Sequence, residues 1–157
     1  IARTVKTNVK TVGRYLDLLE KMFVIRRVRG FSRNLRNEIS KKAKYYFLDT
    51  GVRNAVIGNF QALATRDDIG RLWENFVFME LVKQSTLTGA LDSYAFWRTH
   101  AGQEIDIIKE SGGEISGIEV KWTESTVRPP STWRTAYPNA TFTVINRTNY
   151  LDVLRPS

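Results

Sequence analysis

The sequence predicts an α/β protein in which a helix and a two-stranded hairpin precede a helix, three strands, a helix and a final strand. The period of the apolar residues indicates this order, because it is three to four over residues 8–22 and 69–84 and changes to short β-branched runs after residue 93. Charge divides the chain as well: residues 1–44 hold 13 Lys and Arg against 3 Asp and Glu, whereas residues 45–157 hold 11 against 13. Together these patterns predict two modules, residues 1–50 and residues 51–157.

Composition excludes several kinds of chemistry. The 157 residues are 42% hydrophobic and 25% charged, which is typical of a globular protein. The absence of Cys excludes disulfides, Cys-ligated zinc and thiol nucleophiles, and a single histidine, His100, leaves little for a Ser-His-Asp triad. No apolar run is long enough for a membrane span, so a cytoplasmic protein is expected. Because the chain begins at Ile1 without Met or a signal-peptide pattern, we expect it to be a fragment of a longer protein.

The first module has the outline of a winged helix. An apolar stripe predicts a helix over residues 8–22 with Asn8 as its N-cap, and strands are predicted at residues 23–28 and 45–48 around a basic segment. In DNA-binding versions, the helix enters the major groove and the loop touches phosphate. The residues predicted to contact DNA are Lys10, Arg14, Arg29, Arg33, Arg36, Lys41 and Lys42. The alternative is a module that packs on a neighbouring domain and leaves its basic loop solvated.

The second module is predicted from its turns and strand alternation. A short helix at residues 52–57 ends at Gly58, and the buried helix over residues 69–84 carries Glu74 near its start. Strands are predicted at residues 94–98, 104–108 and 115–122, followed by a short helix through residues 133–137 and a strand at residues 141–145.

Three polar residues of the predicted hairpin point to chemistry. Alternation places Glu119 and Lys121 on one strand face, and it places Asp106 opposite the apolar Ile105 and Ile107. Pairing of the two strands would bring Asp106, Glu119 and Lys121 within a few ångströms. Two adjacent carboxylates favour a cation between them, and oxygen ligands suit Mg²⁺ or Mn²⁺. In the alternative, the hairpin is half-exposed, Glu119 and Lys121 are solvated, and Asp106 pairs with a basic residue.

These residues resemble the signature of the PD-(D/E)XK nuclease-like superfamily, whose restriction-endonuclease-like core is α-β-β-β-α-β. Its Asp on the second strand matches Asp106, and its Glu-x-Lys on the third matches Glu119-Val120-Lys121. In several branches the first helix adds a Glu ligand, which Glu74 resembles. The resemblance implies catalytic roles for Asp106, Glu119 and Lys121, and an Mg²⁺ or Mn²⁺ ion held by Glu74, Asp106 and Glu119.

Nearly the whole chain also resembles the domain of unknown function that follows the P-loop module in many prokaryotic AAA-family ATPases. The similarity lies in the segments Thr11-Val12-x-x-Tyr15-Leu16-x-x-Leu19-Glu20, Lys44-x-Tyr46-Phe47-x-Asp49-Thr50-Gly51, Gly70-x-x-x-Glu74-Asn75-Phe76-Val77, Trp97-Arg98-Thr99, Glu104-Ile105-Asp106 and Ile118-Glu119-Val120-Lys121. It implies that an ATP-binding domain precedes Ile1 and is this chain's partner. Because no Gly-Lys-Ser/Thr occurs here, ATP would bind only to that absent domain.

Two functions follow as expectations. The first is a DNA-associated, Mg²⁺-dependent nuclease-like domain of an AAA-family ATPase. The second is a non-catalytic nucleic-acid or protein recognition module, or a regulatory one, in which the nuclease-like fold is only a scaffold.

Overall fold

A computed structural model describes residues 8–33, 38 and 42–154 and confirms the α/β class. The helices are α1 Val9–Lys21, α2 Thr50–Ile57, α3 Ile69–Thr88, α4 Ser131–Ala136 and α5 Tyr150–Leu154, with a 3₁₀ turn at Leu63–Thr65. The strands are β1 Ile25–Gly30, β2 Ala43–Phe47, β3 Ser93–Arg98, β4 Glu104–Ser111, β5 Glu114–Val120 and β6 Thr141–Ile145. Within the described ranges, no helix has both the length and the apolar character that a membrane span requires.

The six strands form one mixed sheet in the order β2-β1-β3-β4-β5-β6. The β1–β2, β3–β4 and β4–β5 pairs are antiparallel, whereas β1–β3 and β5–β6 are parallel. The hairpin predicted as part of a first module therefore continues the sheet of the second, since Arg29 and Gly30 of β1 pair with Ala95 and Phe96 of β3. The division near residue 50 stays a prediction.

The core lies on both faces of this sheet. On one face, α3 packs against apolar residues of all six strands: Val28, Tyr46, Phe96, Ile107, Ile118, Val120 and Ile145. On the other face, Trp133 and Tyr137, in and just after α4, pack with Trp97, Ile105, Ile108 and Ile115. Because α3 is buried along most of its length, it is a fixed platform under the sheet.

The first strand begins two residues later than predicted, because α1 ends in a tight turn. Phe23 adopts a left-handed conformation with φ of 56°, and the Val24 N–H bonds to the Leu19 carbonyl. This is the Schellman arrangement, in which the left-handed position usually holds Gly. None of the α1 side chains is buried, and Arg27 of β1 joins the helix through Asp17 and Glu20.

Two elements were not predicted. The 3₁₀ turn at Leu63–Thr65 lies in a predicted loop, and α5 follows the last predicted strand. Both have fewer than six residues, which is too short for a helical period to appear in the apolar pattern.

A side-chain clamp fixes the edge strand β2 on α3. The Phe47 N–H donates to Asn75 Oδ1 at 2.8 Å, and Asn75 Nδ2 donates to the Phe47 carbonyl at 2.8 Å. Asn75 is only 4% exposed, and its amide imitates the pairing of a neighbouring strand. The clamp therefore supplies hydrogen-bond partners for the Phe47 N–H and C=O at the strand edge, and it fixes the position of β2 relative to α3.

We expect Asn75→Ala to lower the free energy of unfolding by about 2 kcal/mol, because both hydrogen bonds disappear and the Phe47 backbone loses its partners. Urea denaturation followed by tryptophan fluorescence measures this change. Asn139→Ala, at an exposed turn position, is the control and should change stability by less than about 0.5 kcal/mol. Equal losses in the two variants would contradict the clamp.

Candidate functional site

Asp106 lies where β4 and β5 part. The last paired residues before this point are Ile107 and Ile118. Beyond this pair, the Asp106 side chain replaces the backbone pairing, since its Oδ2 accepts a hydrogen bond from the Val120 N–H at 3.0 Å. This contact fixes one carboxylate oxygen between the two strands and leaves Oδ1 for other partners.

A β-bulge orients this part of β4. Trp97 pairs with Ile105 and Ala95 pairs with Ile108, so β4 spans three steps where β3 spans two. The expectation that Ile105 and Ile107 share a face is therefore wrong: Ile105 packs on the α4 side and Ile107 on the α3 side. Bulges redirect side chains in this way, and here the bulge includes Asp106.

A lysine that the sequence did not indicate lies among the acidic residues. The Lys44 ammonium of β2 is 2.8 Å from Glu104 Oε1, 3.0 Å from Glu74 Oε1 and 3.5 Å from Asp106 Oδ1. The Lys44 ammonium also lies over the ring of Phe96, 5.6 Å from the ring centre. We call Lys44, Tyr46, Glu74, Glu104 and Asp106 the Lys44 cluster.

Tyr46 belongs to the cluster because it follows Lys44 by two positions on the same strand face. Its hydroxyl donates to Glu74 Oε1 at 2.6 Å, while its ring stacks on Phe78 of α3 with 4.1 Å between ring centres. Glu74 therefore receives two donors from β2. This contact and the Asn75 clamp are neighbours on the first turns of α3.

Glu119 and Lys121 form a separate pair. The Lys121 ammonium donates to Glu119 Oε1 at 2.7 Å. Ile118 and Val120 pack in the core on the α3 side, so alternation along β5 turns Glu119 to the other face. The residues predicted to be neighbours, Asp106, Glu119 and Lys121, lie at the same end of the hairpin. Their partners differ, however, because Lys44 binds Asp106 and Lys121 binds Glu119.

Burial and charge set the protonation of the cluster. Burial lowers the pKa of the Lys44 ammonium, but Glu74, Glu104 and Asp106 outweigh it, so this pKa lies above its usual value. Burial, together with the charge and the hydrogen bond of Glu74, raises the pKa of the Tyr46 hydroxyl far above its usual value. At neutral pH, both groups therefore carry the protons that they donate.

In the Glu119 pair, burial decides the direction of the pKa shift at the carboxyl but not at the ammonium. Burial raises the pKa of the Glu119 carboxyl, and the charge of Asp106 adds to this rise, whereas the hydrogen bond from Lys121 opposes it. Burial lowers the pKa of the Lys121 ammonium, but its bond to Glu119 prevails and raises it. The proton at this end of the sheet therefore stays on Lys121.

The arrangement does not fit the metal that the nuclease resemblance implies. Among the described residues, no three or more His, Asp or Glu side chains are placed as ligands of one metal ion. Each of the predicted ligands has a donor from the chain itself: Lys44 and Tyr46 at Glu74, Lys44 and the Val120 N–H at Asp106, and Lys121 at Glu119. The position between Glu74 and Asp106 holds an ammonium group.

Sequence reasoning missed Lys44, Tyr46 and Glu104 as site residues. The signal for the first two is their i, i+2 spacing, which places a cation and a hydroxyl on one face of β2. Glu104 shares a predicted strand with Asp106, and it also lies 3.6 Å from Arg98 Nη1. The described partner of that arginine is therefore a carboxylate.

The predicted DNA-contacting residues are on two surfaces. Lys10 and Arg14 are exposed on α1, four positions apart and so on one helix face. Arg29, Arg33 and Lys42 are exposed around the end of the hairpin, where Arg33 also contacts Glu110 at 3.1 Å. Arg36 and Lys41 lie outside the described residues.

A buried acid, Glu38, attaches the chain at this position to the sheet. Glu38, only 4% exposed, accepts hydrogen bonds from Trp97 Nε1 at 2.6 Å and from the Tyr137 hydroxyl at 2.7 Å. Its other oxygen accepts from the Arg33 N–H at 3.1 Å. The sequence signal was a lone Glu among basic residues. This anchor fixes the backbone at Arg33, whose side chain is 58% exposed and contacts Glu110.

Comparison with known proteins assigns most of the chain to families without a known function. The family profile described as "Domain of unknown function (DUF4143)" matches residues 69–148, from α3 to just before α5. A second profile, "Domain of unknown function (DUF8612)", matches residues 1–63. No solved structure matches the chain.

The curated relatives are uncharacterized and much longer. Uncharacterized proteins of Mycobacterium tuberculosis and Mycobacterium bovis are each 30% identical over 127 residues, which is 80% of this chain and 28% of theirs. An uncharacterized protein of Haemophilus influenzae is 31% identical over 118 residues, 74% of this chain and 26% of its own. The chain thus spans little more than a quarter of these relatives.

We expect Tyr46 and Glu74 to stabilise the fold as a pair. Tyr46→Phe and Glu74→Gln should show a coupling energy of about 1–2 kcal/mol in a double-mutant cycle, because either change removes the same charged hydrogen bond. Urea denaturation of the four proteins measures it. Tyr15→Phe, at a residue 65% exposed, is the control and should change little. Additive effects of the two substitutions would contradict the pairing.

The raised pKa of Glu119 predicts a pH dependence. Its carboxyl binds a proton more tightly in the folded chain, so the stability it contributes is complete at low pH and is lost as pH rises through the folded pKa. Glu119→Gln keeps an uncharged side chain throughout. Relative to the unsubstituted protein, the variant should therefore gain stability between about pH 4 and pH 7.

Urea denaturation at both pH values measures this difference. Glu114→Gln, at an exposed position on the same strand, is the control. A relative stability of Glu119→Gln that falls over the same range would show that the Lys121 bond dominates instead.

Proposed function

The chain belongs to the family of the domain of unknown function DUF4143, and we propose that it is a nucleic-acid-binding module that does not cleave its ligand. In this proposal, the sheet with Asp106, Glu119 and Lys121 is a nuclease-like scaffold. The basic residues of the N-terminal third make the contacts with duplex DNA.

One observation carries the non-catalytic part of the proposal. The Lys44 ammonium binds three carboxylates, two of which are predicted metal ligands. A divalent ion would have to be coordinated by the same oxygens, because Mg²⁺ and Mn²⁺ are held by carboxylates and water at about 2.0–2.2 Å. With the ammonium in place, the described residues lack the arrangement that metal-dependent hydrolysis requires.

Charge supports the nucleic-acid part. Residues 1–44 carry a large excess of Lys and Arg, and the described members of the predicted contact set are all exposed. Exposed cations release counterions from DNA when they neutralise phosphates, which favours binding irrespective of base sequence. Lys10 and Arg14 lie on the polar side of α1, away from its apolar stripe, so they are free to meet a duplex.

The proposal also includes a longer protein, of which this chain would be one part. The relatives are more than three times as long as the aligned region, which leaves room for the ATPase domain that the sequence resemblance implies. The module would then hold DNA for a neighbouring ATP-driven domain.

The 157-residue chain should not cleave duplex, branched or single-stranded DNA in Mg²⁺ or Mn²⁺. Gel electrophoresis of labelled substrates measures cleavage. Asp106→Ala and Lys121→Ala are the matched controls, because contaminating nuclease would survive both substitutions. Cleavage that each substitution abolishes would contradict the proposal and establish a nuclease.

Charge reversal should weaken DNA binding. Lys10→Glu/Arg14→Glu is expected to lower affinity for a duplex by at least about tenfold and to reduce the dependence of binding on salt. Fluorescence anisotropy measures both quantities. Lys83→Glu/Arg128→Glu reverses two exposed charges outside the predicted contact set and should leave affinity nearly unchanged. Equal losses in the two double variants would show that only net charge matters.

A further inference from the structure

We propose that an aromatic cavity between α3 and the ends of β5 and β6 binds an unpaired pyrimidine base of a nucleic-acid strand. The inference rests on the proposed function and deepens it, because it names the part of the nucleic acid that this cavity takes. The cavity has a volume of about 470 Å³, which is within the range of small-molecule sites. None of the residues of the Lys44 cluster lines it.

The position of the cavity follows from the sheet. Strands β5 and β6 are parallel, and their last paired residues are Val120 and Ile145. Trp122 and Arg147 each follow two positions later, so they lie at the carboxyl ends of two neighbouring strands. The Arg147 guanidinium lies over the Trp122 ring, 5.6 Å from the ring centre. Ligands of α/β proteins commonly bind beyond the carboxyl ends of parallel strands.

Four aromatic side chains line this cavity: Trp73, Phe76, Trp122 and Tyr150. The Trp73 ring centre lies 5.3 Å from that of Phe76 and 5.5 Å from that of Trp122. It also lies 5.2 Å from the ring centre of Tyr150. Trp73 is buried, whereas the other three rings are only partly covered. Aromatic surfaces of this kind stack on the flat faces of unpaired bases.

The polar groups at the cavity are chiefly donors. The buried indole N–H of Trp73 has no hydrogen-bond acceptor among the described residues. Asn54 Oδ1 already accepts from Arg66 Nη2 at 2.9 Å, which leaves the Asn54 amide NH₂ to donate. Arg147 adds a positive charge, and no carboxylate of the described residues lines the cavity. A ligand with several acceptor oxygens therefore complements this site.

A pyrimidine nucleotide has these features together. Thymine carries two carbonyl acceptors on a flat ring, and its phosphate supplies the negative charge that Arg147 lacks. An aromatic side chain of a partner protein would stack on the same rings, but it carries no anion. The combination of rings, donors and one guanidinium therefore favours a nucleotide of a strand over a protein segment.

The experiment compares three labelled DNAs by fluorescence anisotropy. All share one duplex, which is blunt, carries a short thymidine overhang, or carries the same overhang with abasic residues. The abasic overhang keeps the phosphates without the bases, so the difference between the two overhangs measures base binding. We expect the thymidine overhang to raise the affinity of the unsubstituted chain at least about fivefold over the blunt duplex, and the abasic one less than about twofold.

Two substitutions locate the effect. Trp122→Ala should abolish the gain from the thymidine overhang, with circular dichroism as the check on folding. Arg147→Gln should at least halve the gain, and its exposed side chain makes loss of the fold an unsuitable explanation. Arg134→Gln is the matched control, since it removes an exposed arginine from α4 on the other face of the sheet and should leave the gain unchanged.

Several results would overturn the inference. They are an equal gain from the two overhangs, a full gain in folded Trp122→Ala, and equal gains in Arg147→Gln and Arg134→Gln. Quenching of tryptophan fluorescence by thymidine monophosphate without any overhang gain would also overturn it, because the cavity would then take a free nucleotide.

The proposed function fails in a different way. Lys10→Glu/Arg14→Glu should weaken the blunt and overhang complexes by the same factor, because it removes only phosphate contacts. Absence of blunt-duplex binding would contradict the proposed function, and a thymidine oligonucleotide compared with its abasic counterpart would then test the cavity directly. Duplex binding without a thymidine gain would contradict this inference alone.

Discussion

The contact of one ammonium group with three carboxylates joins the edge strand β2, the helix α3 and the central strand β4. Lys44 comes from the edge strand β2, Glu74 from the buried helix α3, and Glu104 and Asp106 from the central strand β4. Alone, the acidic residues would repel one another. With the lysine between them, they hold the N-terminal hairpin, the helix and the sheet in one arrangement. Tyr46 and Asn75 complete this contact by fixing the strand from which the lysine extends.

The same contact bears on the chemistry of the site. Asp106, Glu119 and Lys121 are close in the fold, as a nuclease-like signature requires, yet each acid has a cationic or backbone donor from the chain. A partly buried ion pair contributes little net stability when its desolvation is counted, but removing one partner is costly. The cluster is therefore better suited to specifying one geometry than to changing its ligands. This is the physical basis for treating the sheet as a scaffold.

A second anchor lies at Glu38, between Arg33 and Lys42. Glu38 lies buried against Trp97 and Tyr137, so the backbone at Arg33 follows the sheet while its charged group reaches solvent. The helix α1 and its C-terminal turn are different, since Tyr15 in the helix and Met22 and Phe23 just after it are all more than 60% exposed. The sheet thus holds the hairpin side of the N-terminal third, whereas α1 has no buried residue and is joined to β1 through Arg27 and its two acidic partners.

The sequence by itself determined the local elements and the short-range part of the site. Apolar periodicity identified α1 and α3, turn residues such as Gly58 ended the helices, and alternation placed Asp106 near Glu119 across one hairpin. These features depend on neighbours a few residues apart. Only the tertiary structure decided that a bulge separates Ile105 from Ile107 and that Lys44 reaches acids 30 and more residues away. Such contacts depend on strand order and packing, which the chain-local pattern of side chains does not encode.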